Sequence, residues 1–253
     1  MTTRLVLALA LLAGCRGGSE RITVAFATAA REVAPELESA FEAEHGGDVV
    51  LLLGGSGTLA DTVVAGSDID VVVLAERAEL DRLAEKRHVD PDSRAPVAAT
   101  RLVLVAARPA PRLTFATLPS LAANQSIAIG NPEHSAAGVH TRALFRRLGI
   151  WDALRPRLVL GGDVAAALAA VRRGKAEAAV VYEPDARGVP GIELLDRAEP
   201  PPLPELWVGL TRSGAEQEAA RSFASFLRSE TAQQLFAEHG FLPPASAPRV
   251  GSD

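Results

Sequence analysis

"LLLGGSGTLAD", residues 51–61, leads an apolar strand through two glycines, a serine and a third glycine into a short helix. The first N–H groups of a helix lack hydrogen-bond partners and carry the positive end of the helix dipole. Loops of this kind hold a phosphate, a dinucleotide, a nucleophilic serine or a small anion. Which of these four the segment serves depends on the residues around it.

Four further loops of small residues follow a strand and open a helix or turn, as this one does. They are AFATAARE (residues 25–32), GNPEHSAAG (130–138), GGDVAAAL (161–168) and VVYEPDA (180–186). The strands before them are continuous apolar runs, which favour parallel strands covered by helices on both faces. Loops at the carboxyl ends of such strands line a ligand crevice. The five loops therefore predict one shared binding site.

The alternation of strand and helix starts twice, at Ile22 and at Ser126. We therefore predict an α/β fold of two lobes, each a mainly parallel sheet flanked by helices, with the ligand in the cleft between them. The chain is expected to cross between the lobes near residue 100 and to return through the proline-rich EPPPLPE, residues 199–205. Lobe 1 then comprises residues 21–100 and 206–242, lobe 2 comprises residues 101–205, and residues 243–253 form a disordered tail.

The N-terminus predicts export. An apolar run from Leu5 to Ala13 follows Arg4 and is too short to span a bilayer, which is typical of a signal peptide. The LAGC sequence ending at Cys15 resembles the lipobox of bacterial lipoproteins, and Cys15 is the only cysteine. We predict a signal peptide over residues 1–14, a lipid anchor on Cys15, a flexible tether over residues 15–20 and a position outside the cytoplasm. An ordinary signal peptide with an incidental cysteine is the alternative.

The composition excludes several classes of protein. A net charge of −5 and 4% aromatic residues do not fit a nucleic-acid-binding protein, which needs a basic face and stacking platforms. One cysteine excludes an intrachain disulfide, so the 48% of apolar residues must supply the stability through a core. The protein is expected to act as a monomer.

The glycine-rich loop fits only some of its possible uses. No Lys-Ser or Lys-Thr follows the glycines, as a Walker A loop requires, and Thr58 stands where a nucleophile elbow has glycine. Gly55–Ala60 does match the dinucleotide pattern, with Glu76 at about the expected spacing of ~20 residues. The helix after this loop is short, because Gly66 ends it, and exported chains meet little soluble nicotinamide cofactor. An exported enzyme with a dinucleotide-binding loop remains the alternative from another class.

The five loops together favour a small dehydrated oxyanion. They contain hydroxyls and glycine-freed N–H groups but no lysine, and Arg31 is predicted to point along its helix. Ser56 alone could equally be a plain helix N-cap. We expect the site to offer no carboxylate that could accept an acidic proton, which would disfavour hydrogen phosphate. Asp68 and Asp70 are read as structural, because a carboxylate facing an oxyanion would repel it.

No catalytic constellation stands out in the sequence. There is no Ser/His/Asp order and no carboxylate pair, so we expect neither an enzyme nor a bound cofactor. The five histidines lack zinc-ligand spacing, which argues against a metal cation held by the protein, although His134 is predicted near the mouth of the cleft. Trp151 and Trp207 are read as packing residues.

With these residues placed, the chain resembles the periplasmic molybdate-binding proteins of ABC importers. The resemblance runs over residues 21–241 and rests on the ordered series NPEH…AG, W, DV and VVY, together with GSGTLADTVVAGSDIDVVVLAE and the closing FLRSETAQQLFAEHGF. It implies the two-lobed type II periplasmic-binding fold and capture of a tetrahedral oxyanion, molybdate or tungstate, for delivery to a membrane permease and its ATPase. Sulfate, thiosulfate or another oxyanion in the same fold is the alternative.

The resemblance also assigns the ligand-binding groups. Carried over by position, the family's serine hydroxyl falls on Ser56, its backbone N–H donors fall on Ala137 and Val164, and its tyrosine hydroxyl falls on Tyr182. These four residues are expected to face the ligand.

One position departs from the family. Where the family has a further serine in the first loop, this chain has Ala29, so a hydroxyl donor is missing although the N–H of Ala29 can still donate. A hydrogen bond to a charged group is worth roughly 1.5–3 kcal/mol, or about ten- to a hundredfold in affinity. The departure implies weaker binding, a different oxyanion or compensation by Thr28.

Overall fold

The computed structural model describes residues 20–133, 135–199 and 204–244. The predicted signal peptide, Cys15 and most of the tether lie outside these ranges, as do His134, residues 200–203 of the EPPPLPE segment and most of the predicted tail. Across the described part of the chain, no helix is both long enough and apolar enough to cross a membrane.

Ten strands form within the described residues and make two sheets. The strands are β1 (Arg21–Ala27), β2 (Asp48–Gly54), β3 (Val71–Leu74), β4 (Ala95–Ala99), β5 (Leu102–Ala107), β6 (Ile127–Gly130), β7 (Leu158–Gly161), β8 (Ala178–Tyr182), β9 (Ile192–Arg197) and β10 (Glu205–Leu210). The first sheet has the order β2-β1-β3-β10-β4 and the second has the order β7-β6-β8-β5-β9. The second sheet is therefore an insertion between two strands of the first.

Each sheet is mixed, although the sequence predicts mainly parallel sheets. β1 pairs in parallel with β2 and β3, and β6 pairs in parallel with β7 and β8. β10 and β5 join these strands in antiparallel orientation, because each arrives directly from the other lobe. The two-lobed α/β architecture is confirmed, and the antiparallel strands are the difference in detail.

Ten α-helices connect and cover the strands of the described chain. They are α1 (Ala34–His45), α2 (Ser56–Val64), α3 (Arg77–Glu85), α4 (Ala136–Arg147), α5 (Trp151–Leu154), α6 (Val164–Arg172), α7 (Glu183–Ala186), α8 (Arg212–Glu216), α9 (Glu218–Phe226) and α10 (Glu230–Glu238). A 3₁₀ turn, Thr28–Ala30, precedes α1, so this helix starts later than its apolar spacing suggests and has Pro35 in its first turn.

Both faces of each sheet are packed. In the first lobe, Phe41, Phe223 and Phe236 from α1, α9 and α10 cover one face, and Leu59 and Leu80 from α2 and α3 belong to a separate cluster on β1 and β3. The second lobe repeats the plan, with α4 and α5 in one cluster and α6 in another. This double cover explains the continuous apolar strands in the sequence.

The two chain crossings between the lobes lie side by side. The N–H of Thr100 donates to the carbonyl of Pro204 at 2.8 Å, and the N–H of Ala198 donates to the carbonyl of Leu102 at 2.9 Å. The buried carboxylate of Glu183 joins them, because it accepts hydrogen bonds from Arg101 at 2.7 Å and from Arg197 at 3.0 Å. One ionic cluster thus binds both crossings to the start of α7.

Candidate functional site

A cavity of about 150 Å³ lies where the two lobes meet. The first lobe lines it with the loops that follow β1, β2 and β3, and the second lobe lines it with the start of α4 and the end of β8. Both chain crossings also line the cavity, one through Thr100 and the other through Pro204, Glu205 and Leu206. Four of the five loops singled out in the sequence therefore meet at this cavity, whereas loop 161–168 contributes none of the described lining residues.

Ser56 is the first residue of α2 and faces this cavity. The helix N-cap is Gly55, so Ser56 is not the plain N-cap that the sequence left open. Its buried hydroxyl oxygen instead accepts a hydrogen bond from the N–H of Ala75, at 3.1 Å. Because that bond uses a lone pair of the oxygen, the hydroxyl proton stays available for donation to a ligand.

Tyr182 ends β8 on the opposite wall, and its hydroxyl lies 2.6 Å from Nδ1 of His140 on α4. Burial lowers the pKa of His140, so its ring is neutral and carries one proton. With that proton on Nδ1, the histidine donates to the phenol oxygen and the phenol proton is free for the cavity. With it on Nε2, the phenol must donate to the histidine instead.

The remaining predicted site residues divide into two groups. Thr28 and Ala29 line the cavity with Ser56 and Tyr182, from the 3₁₀ turn that follows β1. Ala137 and Val164 are not among the lining residues: Ala136 lines the cavity in place of Ala137, and Val164 packs against both core clusters of the second lobe. The N–H of each still lies in the first turn of its helix without an intrahelical partner, so each stays a predicted donor.

Charge at the cavity comes from carboxylates, since none of the described residues that line it is lysine or arginine. Burial, with Asp185 and Glu76, raises the pKa of Tyr182, which keeps the phenol protonated. Burial, together with Glu32 and Asp163, raises the pKa of Asp185 to about 6 against the opposing effect of Arg31. An anion bound here is held by hydrogen-bond donors and helix termini and not by a full positive charge.

Glu76 corrects one expectation from the sequence. The site was predicted to lack a carboxylate, yet Glu76 is an exposed lining residue and Glu205 also lines the cavity. The reason is the loop after β3, which turns toward the cavity directly after the N–H that Ala75 donates to Ser56. Rejection of hydrogen phosphate therefore cannot rest on the absence of a proton acceptor.

Asp70 is structural, as the sequence suggests. Its carboxylate accepts hydrogen bonds from the N–H of Thr23 at 2.9 Å and from the side chain of Gln217 at 2.6 Å, and Asp70 is absent from the cavity lining. Asp68 is exposed at the start of the same segment.

The sequence matches the family described as bacterial extracellular solute-binding proteins over residues 22–242. The chain belongs to this family. This solute-binding protein is 29% identical over 231 residues to the molybdate-binding protein ModA of Escherichia coli (strain K12), which covers 87% of this chain and 88% of that protein. It is 26% identical over 247 residues to the putative ABC transporter substrate-binding lipoprotein YvgL of Bacillus subtilis (strain 168), covering 91% and 93% of the two chains.

Solved structures share the architecture of this solute-binding protein. The substrate-binding domain of a putative molybdenum ABC transporter from Clostridium difficile superposes with a TM-score of 0.78 at 22% identity, covering 89% of this chain and 100% of that one. At this identity the likeness concerns the fold. It supports the two-lobed fold that the two sheets of this solute-binding protein form.

The enzyme alternative finds no support in the site. The named relatives are solute-binding proteins, and the cavity is smaller than the roughly 300–1,000 Å³ of drug-sized ligand pockets, which a dinucleotide would need. Within the ranges that the structure describes, no group of three or more His, Cys, Asp or Glu side chains could hold a metal ion.

Sequence reasoning missed two groups at this site of the solute-binding protein. His140 entered the sequence analysis only as one of the five histidines considered as zinc ligands. Its partner Tyr182 is distant in sequence and meets it only when α4 packs on β8. Thr100 was seen only as the place where the chain crosses between lobes. In the described structure the side-chain hydroxyl of Thr100 is buried without a hydrogen-bond partner, and no pattern in the sequence indicates this.

Proposed function

We propose that this protein captures a small tetrahedral oxyanion, most plainly molybdate or tungstate, outside the cytoplasm and delivers it to the permease and ATPase of an ABC importer. The observation that carries the proposal is the pair of hydroxyls of Ser56 and Tyr182, which face one small cavity from opposite lobes. The relative from Escherichia coli is named for molybdate binding, which agrees with this ligand.

The cavity supplies what a dehydrated dianion needs. Burying such an ion is expensive unless its oxygens are hydrogen-bonded, and fixed N–H groups and hydroxyls in a dry cleft strengthen each bond. The donors come from both lobes, so closing the lobes around the ion completes its coordination. The closed form is then the species that the permease receives.

Anchoring and assembly belong to the same proposal. A lipid on Cys15 would hold the protein at the membrane surface through the tether of residues 15–20, and the relative from Bacillus subtilis is named a lipoprotein. We propose a monomer, divided into lobe 1 (residues 21–100 and 206–242) and lobe 2 (residues 101–205). Sulfate or thiosulfate in the same cavity is the second candidate, because each is a small tetrahedral dianion that the same hydrogen-bond donors could satisfy.

A thermal-shift titration tests the proposal. Molybdate, tungstate, sulfate, thiosulfate and phosphate are titrated separately, with NAD as a control. A ligand at about 100 times its Kd stabilises the folded protein by about 2.7 kcal/mol, which raises the melting temperature measurably. A shift with sulfate or thiosulfate alone selects the second candidate, no shift with any oxyanion refutes the proposal, and a shift with NAD alone supports the enzyme alternative.

Removing either hydroxyl is expected to weaken binding. Ser56→Ala and Tyr182→Phe each delete a donor to a charged ligand, so each should raise the Kd about ten- to a hundredfold. Isothermal calorimetry with the best oxyanion measures the change. Ser39→Ala removes an exposed hydroxyl of α1 that donates to Pro35 and should leave the Kd unchanged. If both cavity variants bind like the wild type, the assignment of the site is wrong.

A further inference from the structure

The hydroxyl of Thr100 is an orphan in the described structure. Thr100 is 8% exposed, and its Oγ1 is the one buried side-chain atom of the described residues without a hydrogen-bond partner. Its backbone N–H is satisfied, because it donates to the carbonyl of Pro204. A buried hydroxyl without a partner destabilises a protein, so such a group is rare in native structures and needs a reason.

The position of Thr100 supplies that reason. It stands in the crossing between β4 and β5 and lines the same cavity as Ser56 and Tyr182. The other lining hydroxyls already have partners: Ser56 accepts from Ala75, Tyr182 is bonded to His140, and Thr28 is exposed to solvent. Among the described residues that line the cavity, Thr100 alone combines burial with a hydroxyl that has no hydrogen-bond partner.

We propose that the hydroxyl of Thr100 binds the oxyanion and takes the place of the donor that Ala29 lacks. The inference rests on the proposed function and adds a ligand-binding residue to it. In the free protein the hydroxyl is unsatisfied, and in the complex its proton is donated to an oxygen of the ion. Binding then forms a hydrogen bond to a charged ligand without breaking an existing hydrogen bond of the hydroxyl.

The location of this donor also differs from that of Ser56 or Tyr182. Those residues belong to one lobe each, whereas Thr100 lies in the crossing that pairs with the returning chain at Pro204. An ion held by Thr100 contacts the segment about which the lobes move. Its loss should therefore reduce affinity without removing either wall of the cavity.

Thr100→Val is the decisive variant, because valine keeps the shape of threonine and removes only the hydroxyl. We expect the Kd for molybdate to rise about ten- to a hundredfold. We also expect the melting temperature of the ligand-free protein to rise by roughly 2–4 °C, because an unsatisfied hydroxyl is gone. Thr100→Ser keeps the hydroxyl and should bind within about threefold of the wild type.

Thr211→Val is the matched control. Thr211 is also a buried threonine, but its hydroxyl donates to the carbonyl of Ile69 at 2.7 Å and lies outside the cavity lining. Its removal should lower the melting temperature, opposite to Thr100→Val, and should leave unchanged the Kd that Thr100→Val raises.

The outcomes separate the two proposals. If wild-type protein binds no oxyanion, the proposed function fails and the role of Thr100 fails with it. If wild-type protein binds molybdate and Thr100→Val binds equally well, only the role of Thr100 is overturned. A Thr100→Val protein that loses stability as Thr211→Val does also overturns it, because the hydroxyl then has a structural partner.

Discussion

Gly138→Ala is expected to abolish oxyanion binding and to lower the free energy of unfolding by about 3 kcal/mol or more. A Cβ at Gly138 would overlap the carbonyl oxygen of Gly130 and lie 2.7 Å from the carbonyl carbon of Asn131, both backbone atoms that cannot move aside. Alanine gains about 1 kcal/mol in helix propensity, which the overlap outweighs. The start of α4 must therefore shift away from β6, and the cavity wall at Ala136 shifts with it.

Gly162→Ala provides the control for this substitution. Gly162 lies in the corresponding loop after β7, its backbone is not left-handed, and an added Cβ would meet no atom within 4 Å. Urea denaturation should give a free energy of unfolding within about 0.5 kcal/mol of wild type. Equal effects of the two substitutions would show that close approach at Gly138 does not matter.

Glu183→Gln is expected to destabilise the protein by about 2–3 kcal/mol at pH 7. The variant removes the buried carboxylate that Arg101 and Arg197 share and leaves the mostly buried Arg101 paired only with the exposed Glu199. The figure lies below the usual range for a buried pair because the side chain of Arg197 is 47% exposed and regains water. Denaturant titration of wild type and variant measures the difference.

The effect of Glu183 should depend on pH in a defined direction. Burial opposes its ionisation, but hydrogen bonds from Arg197 and Arg101 outweigh burial and lower its pKa below 4.5. A carboxyl with a lowered pKa stabilises the fold above its unfolded pKa, and this stability is lost as the pH falls through the folded pKa. The gap between wild type and Glu183→Gln should therefore be full at pH 6–8 and shrink below about pH 4.5.

Glu199→Gln tests whether the expected destabilisation by Glu183→Gln depends on the burial of the carboxylate. Glu199 also pairs with Arg101, at 3.0 Å, but its side chain is 64% exposed. An exposed ion pair contributes about 0–1 kcal/mol, so this variant should unfold close to wild type at every pH. A loss as large as that of Glu183→Gln would refute the account.

The two-lobed architecture could be predicted from the sequence, and so could the meeting of the loops that follow β1 and β2. Buried parallel strands such as β6 and β8 carry unbroken apolar runs, and each is followed by a loop predicted from the sequence to line the site. Thr28, Ala29, Ser56 and Tyr182 could be brought to one cavity because strand ends in such folds lie at a common edge.

The strands β4 and β9 were not predicted, and both lie at sheet edges. β4 reads APVAA, with a proline that only an edge strand tolerates, and β9 reads IELLDR, with polar residues on a partly exposed face. Each is paired with a single antiparallel neighbour at a shifted register. Their strand conformation depends on pairing with the neighbouring strand, so their own residues only weakly predict a strand.

The hydrogen-bond partners of Ser56 and Tyr182 could not be predicted from the neighbouring sequence either. The hydrogen bond between His140 and Tyr182 joins residues 42 positions apart, and the bond from Ala75 to Ser56 spans 19. Both depend on helices packing against particular strands. The resemblance to the family supplied the predicted donors, whereas tertiary packing decides where the proton of each donor points.

The order of the strands also governs the order in which the protein can fold during synthesis. β10 lies between β3 and β4, yet it is made after all five strands of the second sheet. A nascent chain that ends before Glu205 therefore has every strand of the second sheet, while β3 and β4 still lack the strand that joins them. Domains fold as units during synthesis, so the inserted lobe is the first that can mature, and the lobe that contains the N-terminus is completed last.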